Sequence, residues 1–358
     1  MNRIHFLNQL AAASVRYNLG AGIPPLHLYP DFSPEENLRS FRETFPEKNM
    51  LQYHSTEGFI GELAIKTLSC NENLQASPRN ILITNGVQEA IALTALAFRE
   101  KTIACCVPYY PGLVDAVRQT GNSVCLIQGE NWLDKVAELP EGSLFYLSAD
   151  FSNPSGTSFS LSERKDLIEI AERRDLMLFD DATYREFYLD EKMPSLYSLH
   201  SERVIHALSF SKILGPGLRT AFIYLPEKWH ASYTSLKANS SLNNAGLTQA
   251  ITGGWLIRQN YQLRSHLGKV LHRLKENQTV LMDAGSTYNG GFFARMNLAE
   301  PKASFEWCEK LLREEGVAIC PMLLFSDDPA MQSVIRLAVA NSTPSDLNMV
   351  LEIIRNFR

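Results

Sequence analysis

The sequence predicts an α/β fold: a large, mostly parallel, seven-stranded sheet between helices, followed by a smaller α+β domain at the C-terminus. Three observations carry this. First, seven short apolar runs, at 81–83, 103–107, 124–127, 144–147, 176–179, 204–208 and 221–225, alternate with stretches of helical period. Runs so short and so uniformly apolar suit strands covered on both faces, the usual state of parallel strands. Second, strand signals stop at Pro226, and 227–282 carries helical period alone. Third, 290–296, 303–315, 317–320, 333–339 and 345–357 read as β-α-β-β-α. At 358 residues the chain is long for one ordinary domain. We divide it into an N-terminal arm (1–30), a large domain (31–226), a connecting helical segment (227–282) and a small C-terminal domain (283–358).

The elements follow in order. The arm begins with a short helical segment and passes into Gly20-Ala21-Gly22-Ile23-Pro24-Pro25, which suits neither a regular helix nor a central strand. Helical patches at 35–45 and 58–68 flank a loop holding Tyr53 and His54. Asn85-Gly86 ends the first strand, and 87–98 reads as a helix. Pro108-Tyr109-Tyr110-Pro111-Gly112 separates the second strand from a helix ending at Gln119. Ser160-Leu161-Ser162-Glu163 is a capping box for a helix to residue 174. Right-handed crossovers gather the loops after parallel strands on one sheet edge, where ligands bind.

Composition narrows the function. Hydrophobic residues make up 45%, enough for a full core. A net charge of -5 with no basic cluster argues against nucleic-acid binding. Six cysteines show no C-x-x-C spacing, and Cys105, Cys106 and Cys125 sit in apolar runs as buried free thiols do. That points to a reducing compartment. Residues 1–13 make a poor signal peptide, and no apolar run nears the ~20 residues that span a bilayer. The chain reads as cytoplasmic, without membrane attachment. The eight histidines form no metal-ligand pair on one helix turn.

The chemistry centres on Ser209-Phe210-Ser211-Lys212-Ile213-Leu214-Gly215-Pro216-Gly217-Leu218-Arg219. Ser209 and Ser211, two apart, share a side of an extended chain. With Arg219 they suit a phosphate dianion, unless this is a serine-rich strand end followed by a solvated Lys and Arg. Lys212 beside such charge, and desolvated, is a competent nucleophile for an aldehyde. An aldehyde carrying a phosphate describes pyridoxal phosphate (PLP). Four other loops fit that group. Thr84-Asn85-Gly86-Val87-Gln88 opens a helix, where backbone N–H groups favour phosphate, unless it is a plain turn. The Pro108–Pro111 stretch offers an aromatic to stack on a flat ring, or simply a core aromatic. Asn153, in Ser152-Asn153-Pro154-Ser155-Gly156, could donate to a phenolic oxygen, unless the stretch is an ordinary Asn-Pro turn. In Phe179-Asp180-Asp181-Ala182-Thr183-Tyr184, Asp181 suits a protonated ring nitrogen and Tyr184 the phenolic oxygen; both aspartates could otherwise be helix caps. Arg336, inside an apolar strand, needs an anion such as a substrate carboxylate, unless it is an edge residue with its head in water.

The order of these motifs resembles the class I/II, fold-type I PLP-dependent aminotransferases over nearly the whole chain. The resemblance implies that Lys212 forms a Schiff base with PLP and later shuttles a proton. It implies that Asp181 pairs with the pyridine nitrogen, that Asn153 and Tyr184 hold the phenolic oxygen, and that Tyr110 stacks on the ring. Gly86, Val87, Gln88, Ser209, Ser211 and Arg219 would bind the phosphate. Arg336 would bind the substrate α-carboxylate, with Gly22 and Asn153 lining that pocket. The family's members are homodimers with shared active sites, and Tyr53 looks like the tyrosine that reaches the neighbouring subunit's cofactor. Ser155 stands where threonine is commoner, Tyr109 is bulky where small residues are usual, and the length is nearer the histidinol-phosphate subgroup. The resemblance implies transfer of an amino group from an amino acid to a 2-oxo acid. The alternatives are another PLP reaction (β-lyase, decarboxylase or synthase) and a PLP-binding regulatory protein without turnover. Such regulators carry a fused DNA-binding region, for which the residues before Gly20 leave no room.

Overall fold

A computed structural model describes residue 10 and residues 14–29 and 32–357. The helical segment expected before Gly20 falls largely on 1–9 and 11–13, outside the described residues. Residues 20–25 form neither helix nor strand, as expected, and a short strand, Tyr17–Asn18 (β1), precedes them.

Seven strands form the central sheet: Ile81–Thr84 (β2), Ile103–Cys106 (β3), Val124–Ile127 (β4), Leu144–Leu147 (β5), Met177–Asp181 (β6), Val204–Ser209 (β7) and Ala221–Tyr224 (β8). Their order is β2-β8-β7-β6-β5-β3-β4. Only β8 runs antiparallel to its neighbours; the other pairings are parallel. Each strand coincides with one of the apolar runs; the inner strands do so because both faces are covered, whereas the outermost, β4, is only partly buried. In β6, Leu178 joins the core on one face and Phe179 the core on the other. β6 is longer than its apolar run, because Asp180 and Asp181 pair in register with His206 and Ala207 of β7. Their charge hides them from a hydrophobic pattern, but the backbone ladder continues and each carboxylate has partners.

The cysteine expectation needs correction at the sheet edge. Cys105 is buried and free, Cys106 is half-buried, and Cys125 is exposed. β4 is the outermost strand and is covered unevenly: Ile127 is buried, while Cys125, two residues away on the same face, is exposed.

The expected helical stretch is three helices, Glu227–Ser240, Gly246–Arg258 and Gly268–Asp283. Beyond them come Phe293–Asn297 (β9), Val317–Ala318 (β10), Cys320–Pro321 (β11) and Val334–Ala338 (β12). β12 is the middle strand of the sheet β11-β12-β9, with the helices Phe305–Glu315 and Pro344–Asn356 beside it in sequence. The single strand expected at 317–320 is split at Ile319. β10 pairs in parallel with β1, while β11 pairs with β12. The arm is thus zipped onto the C-terminal strands. Among the described residues no helix is long and apolar enough to cross a membrane.

Candidate active site

The loops that follow β2, β3, β5, β6 and β7 leave the same edge of the central sheet. They meet the arm at 21–24 and residues of β9 and β12 around a cleft of about 980 Å³. Parallel strands direct their carboxyl ends to one edge, and the covering helices leave that edge open.

Lys212 sits at the centre. Its Nζ donates to the Gly22 carbonyl at 2.5 Å, and its own carbonyl accepts from the Tyr29 hydroxyl. Burial, then the positive charges of Arg336 and Arg219, bring its pKa down to about 8, against the opposing pull of Asp181. The amine is therefore easily freed of its proton.

Arg219 adopts a left-handed backbone (φ 47°) that turns its guanidinium back toward β2. It donates to Asn85 O at 2.8 Å, Pro216 O at 3.2 Å and Ser211 Oγ at 3.5 Å. Gly86 lies against it, and a Cβ there would fall 2.3 Å from Arg219 Nη2. Ser211 N–H donates to Ser209 Oγ at 3.2 Å. Val87 and Gln88 open the helix Val87–Ala97 beside these groups. Two hydroxyls, a guanidinium and a helix start thus converge, the chemistry a phosphate requires.

Tyr110 donates its hydroxyl to Gln88 Oε1 at 3.0 Å, and its ring packs so closely that a Cβ on Gly112 would sit 2.4 Å from it. Its neighbour Tyr109 is buried instead, with its N–H on Phe325 O at 2.9 Å. The alternative of a core aromatic thus describes Tyr109, while Tyr110 faces the cleft.

Asp181 is buried and accepts from Tyr146 Oη at 2.8 Å, Thr183 Oγ1 at 2.5 Å and Thr183 N at 3.1 Å. Burial raises its pKa despite these bonds. Among the described residues no cationic side chain forms an ion pair with it, so a cationic ring nitrogen is the partner its setting calls for. Asp180, on the opposite face of the strand, takes His206 Nδ1 at 3.0 Å and Ala149 N at 3.1 Å. Neither aspartate serves as a helix cap.

Tyr184 is buried with its ring edge-on to Phe293 at 5.1 Å, and its hydroxyl is 3.5 Å from where a Gly22 Cβ would stand. Arg336 is 1% exposed, which removes the reading with its head in water. Its guanidinium lies over the rings of Phe293 (4.4 Å) and Phe325 (4.6 Å). It donates to Asn153 Oδ1 at 2.7 Å, to Cys320 Sγ at 3.3 Å and to Gly20 O. Its Nε has no partner, and among the described residues no carboxylate pairs with it. A buried cation in this state is ready for an anionic ligand.

Tyr53 stands apart: it is 83% exposed and lines no part of the cleft. Sequence reasoning missed Tyr146, Thr183 and Phe293. Tyr146 lay within an apolar strand, and only the β5–β6 pairing places it beside Asp181.

The residues fit pyridoxal phosphate. An acidic pocket suits its ring nitrogen, an anion cradle suits its phosphate, and an amine of lowered pKa suits its aldehyde. A family model described as aminotransferase class I and II matches residues 17–354. The chain is 27% identical over 343 residues to the (S)-3,5-dihydroxyphenylglycine transaminase of Amycolatopsis orientalis, covering 86% of this chain and 77% of that one. It is 28% identical over 349 residues to the 2-aminoadipate transaminase of Thermus thermophilus, covering 90% and 85%. The crystal structure of LysN, the α-aminoadipate aminotransferase of Thermus thermophilus, complexed with N-(5'-phosphopyridoxyl)-L-leucine, matches with a TM-score of 0.82 at 25% identity, over 98% of this chain and 92% of that one. The chain belongs to the class I and II aminotransferase family and is a PLP-dependent, fold-type I aminotransferase.

Proposed function

We propose that Lys212 Nζ is the amine to which the cofactor is bonded, and the base that moves the substrate's Cα proton. Bound there, PLP supplies an electron sink for the pair released when the Cα–H bond of an amino acid breaks. Asp181 keeps the ring nitrogen protonated, Asn153 and Tyr184 hold the phenolic oxygen, and Tyr110 covers one ring face. Val87 and Gln88 at their helix start, the close approach allowed by Gly86, and Ser209, Ser211 and Arg219 together hold the phosphate. Arg336 holds the α-carboxylate, with Gly22 and Asn153 beside it, and fixes Cα within reach of Lys212. We further propose a cytoplasmic homodimer in which Tyr53 of one subunit reaches the phosphate site of the other; its exposure beside exposed Leu51 supports this.

The observation that carries the reading is the one amine lining the cleft, its pKa lowered, beside a buried carboxylate and a buried guanidinium that have no ion-pair partner among the described residues. The test is a screen of amino-acid donors with 2-oxoglutarate as acceptor. We expect donor alone to convert the visible absorbance of the bound cofactor to that of its amine form, and borohydride to fix the cofactor on the Lys212 peptide. The Lys212→Ala chain should do neither. No conversion with any donor would refute the proposal.

A further inference from the structure

Lys237, in the helix Glu227–Ser240, has no exposed side-chain surface. A lysine so placed needs a counter-charge. It finds Glu89, 3.6 Å away and itself only 13% exposed. Both share Ser241: Lys237 Nζ donates to its hydroxyl at 3.2 Å, and that hydroxyl donates to Glu89 Oε1. Glu89 is the third residue of the helix Val87–Ala97, and its Oε2 turns back to accept Asn85 N–H at 2.5 Å. The carbonyl of the same Asn85 accepts Arg219 Nη2 at 2.8 Å. A continuous run of contacts thus leads from the buried ammonium, through one carboxylate and one backbone residue, to the guanidinium in the cleft.

The arrangement contains a conflict. A carboxylate in the first turn of a helix occupies the end where positive potential favours anions, so it competes with a phosphate there. Its acceptor oxygen is useful for pinning the loop, whereas its negative charge is not. Lys237 offsets that charge while leaving Oε2 free to hold Asn85.

We infer that Glu89 and Lys237 are a neutral brace that positions the loop of Asn85 and Gly86, and through it Arg219, for the cofactor's phosphate. This rests on the reading of Arg219 as a phosphate anchor. Both are positioning residues, since neither is asked to touch the cofactor.

The test compares PLP with pyridoxal, which lacks the phosphate, as ligands of the full-length chain stripped of cofactor. Lys237→Met, similar in length and without charge, leaves Glu89 as a bare anion. It should raise the Kd for PLP about tenfold while leaving that for pyridoxal unchanged, the size expected of one uncompensated charge at a partly buried helix start. Adding Glu89→Gln, which removes the charge and keeps an acceptor for Asn85, should recover most of the lost affinity. A general loosening of the fold would weaken both ligands alike, so equal losses would overturn the proposal. Unchanged PLP affinity in K237M, or no recovery in E89Q/K237M, would overturn it too. If K237M does not fold, the double variant decides: affinity near wild type upholds the brace, and a phosphate-specific loss refutes it. A wild-type chain that binds pyridoxal no more weakly than PLP would instead refute the phosphate site itself.

Discussion

A lysine attacks an aldehyde only after losing its proton, so the value of Lys212 lies in what its neighbours do to that proton. Burial first, then Arg336 and Arg219, hold its pKa near about 8, well below the ordinary 10.5. The rate at which cofactor-free enzyme captures pyridoxal should therefore rise with pH with a midpoint near that value. Arg336→Gln removes a positive neighbour, so the ammonium form is relieved and the midpoint should move upward. Stopped-flow absorbance against pH checks both; a wild-type midpoint near that of free lysine would contradict the account. The residues legible in the sequence were those whose chemistry shows within a few neighbours: Lys212 with its hydroxyls and Arg219, Asp181 with Tyr184 three residues on, Arg336 alone in an apolar strand. Tyr146 and Thr183 were not recognised as partners of Asp181. An apolar strand gives no hint that one tyrosine hydroxyl meets a carboxylate across the β5–β6 ladder.

At the scale of elements, the central strands were legible because each is a short uninterrupted apolar run, which burial on both faces demands of all but the edge strand β4. The two-residue strands β1, β10 and β11 were not, since two residues cannot display a period. Nor did any pattern reveal how tightly two helices approach. Gly253 and Gly254 of the helix Gly246–Arg258 face the helix Pro34–Thr44. A Cβ on Gly254 would lie 1.7 Å from Asn37 O, and one on Gly253 would lie 2.9 Å from Leu63 Cδ1 and 3.0 Å from Phe41. The first obstacle is backbone, which cannot step aside as a side-chain tip can. Gly254→Ala should force the helices apart and lower stability by about 3 kcal/mol, at the upper end for overpacking. Gly268→Ala, where a Cβ meets open space, serves as the control and should stay within about 0.5 kcal/mol. Urea denaturation of the three chains decides; equal midpoints would mean the contact is easily relieved.

Across the whole molecule, elements far apart in sequence are tied by a buried ionic network behind the cleft. Arg185, just after β6, meets Glu72 at 2.8 Å and Asp150 at 2.6 Å. Asp150 also meets Arg164 at 2.6 Å, and Lys192 meets Glu72 at 3.0 Å and Glu186 at 2.9 Å. Burial alone would raise the Glu72 pKa, but Arg185 and Lys192 more than offset it and hold it at about 2, against an ordinary 4.5. A carboxylate with a depressed folded pKa stabilises fully above its unfolded value, and that contribution fades as pH falls toward the folded one. Glu72→Gln should thus cost about 3 kcal/mol at neutral pH, by the scale of 1.36 kcal/mol per pKa unit. The gap between the two chains should close between pH 4.5 and about 2. Denaturant titrations at several pH values check this, and a gap that ignores pH would place the cost in packing instead. The arm's attachment also acts at this scale. Gly20 and Gly22 lend their carbonyls to Arg336 and to Lys212 respectively, and β1 secures them to β10. The proposed carboxylate anchor and the proposed nucleophile's resting place therefore hang from one two-residue latch, so unhooking the arm from the C-terminal strands should disarm recognition and reactivity in a single stroke.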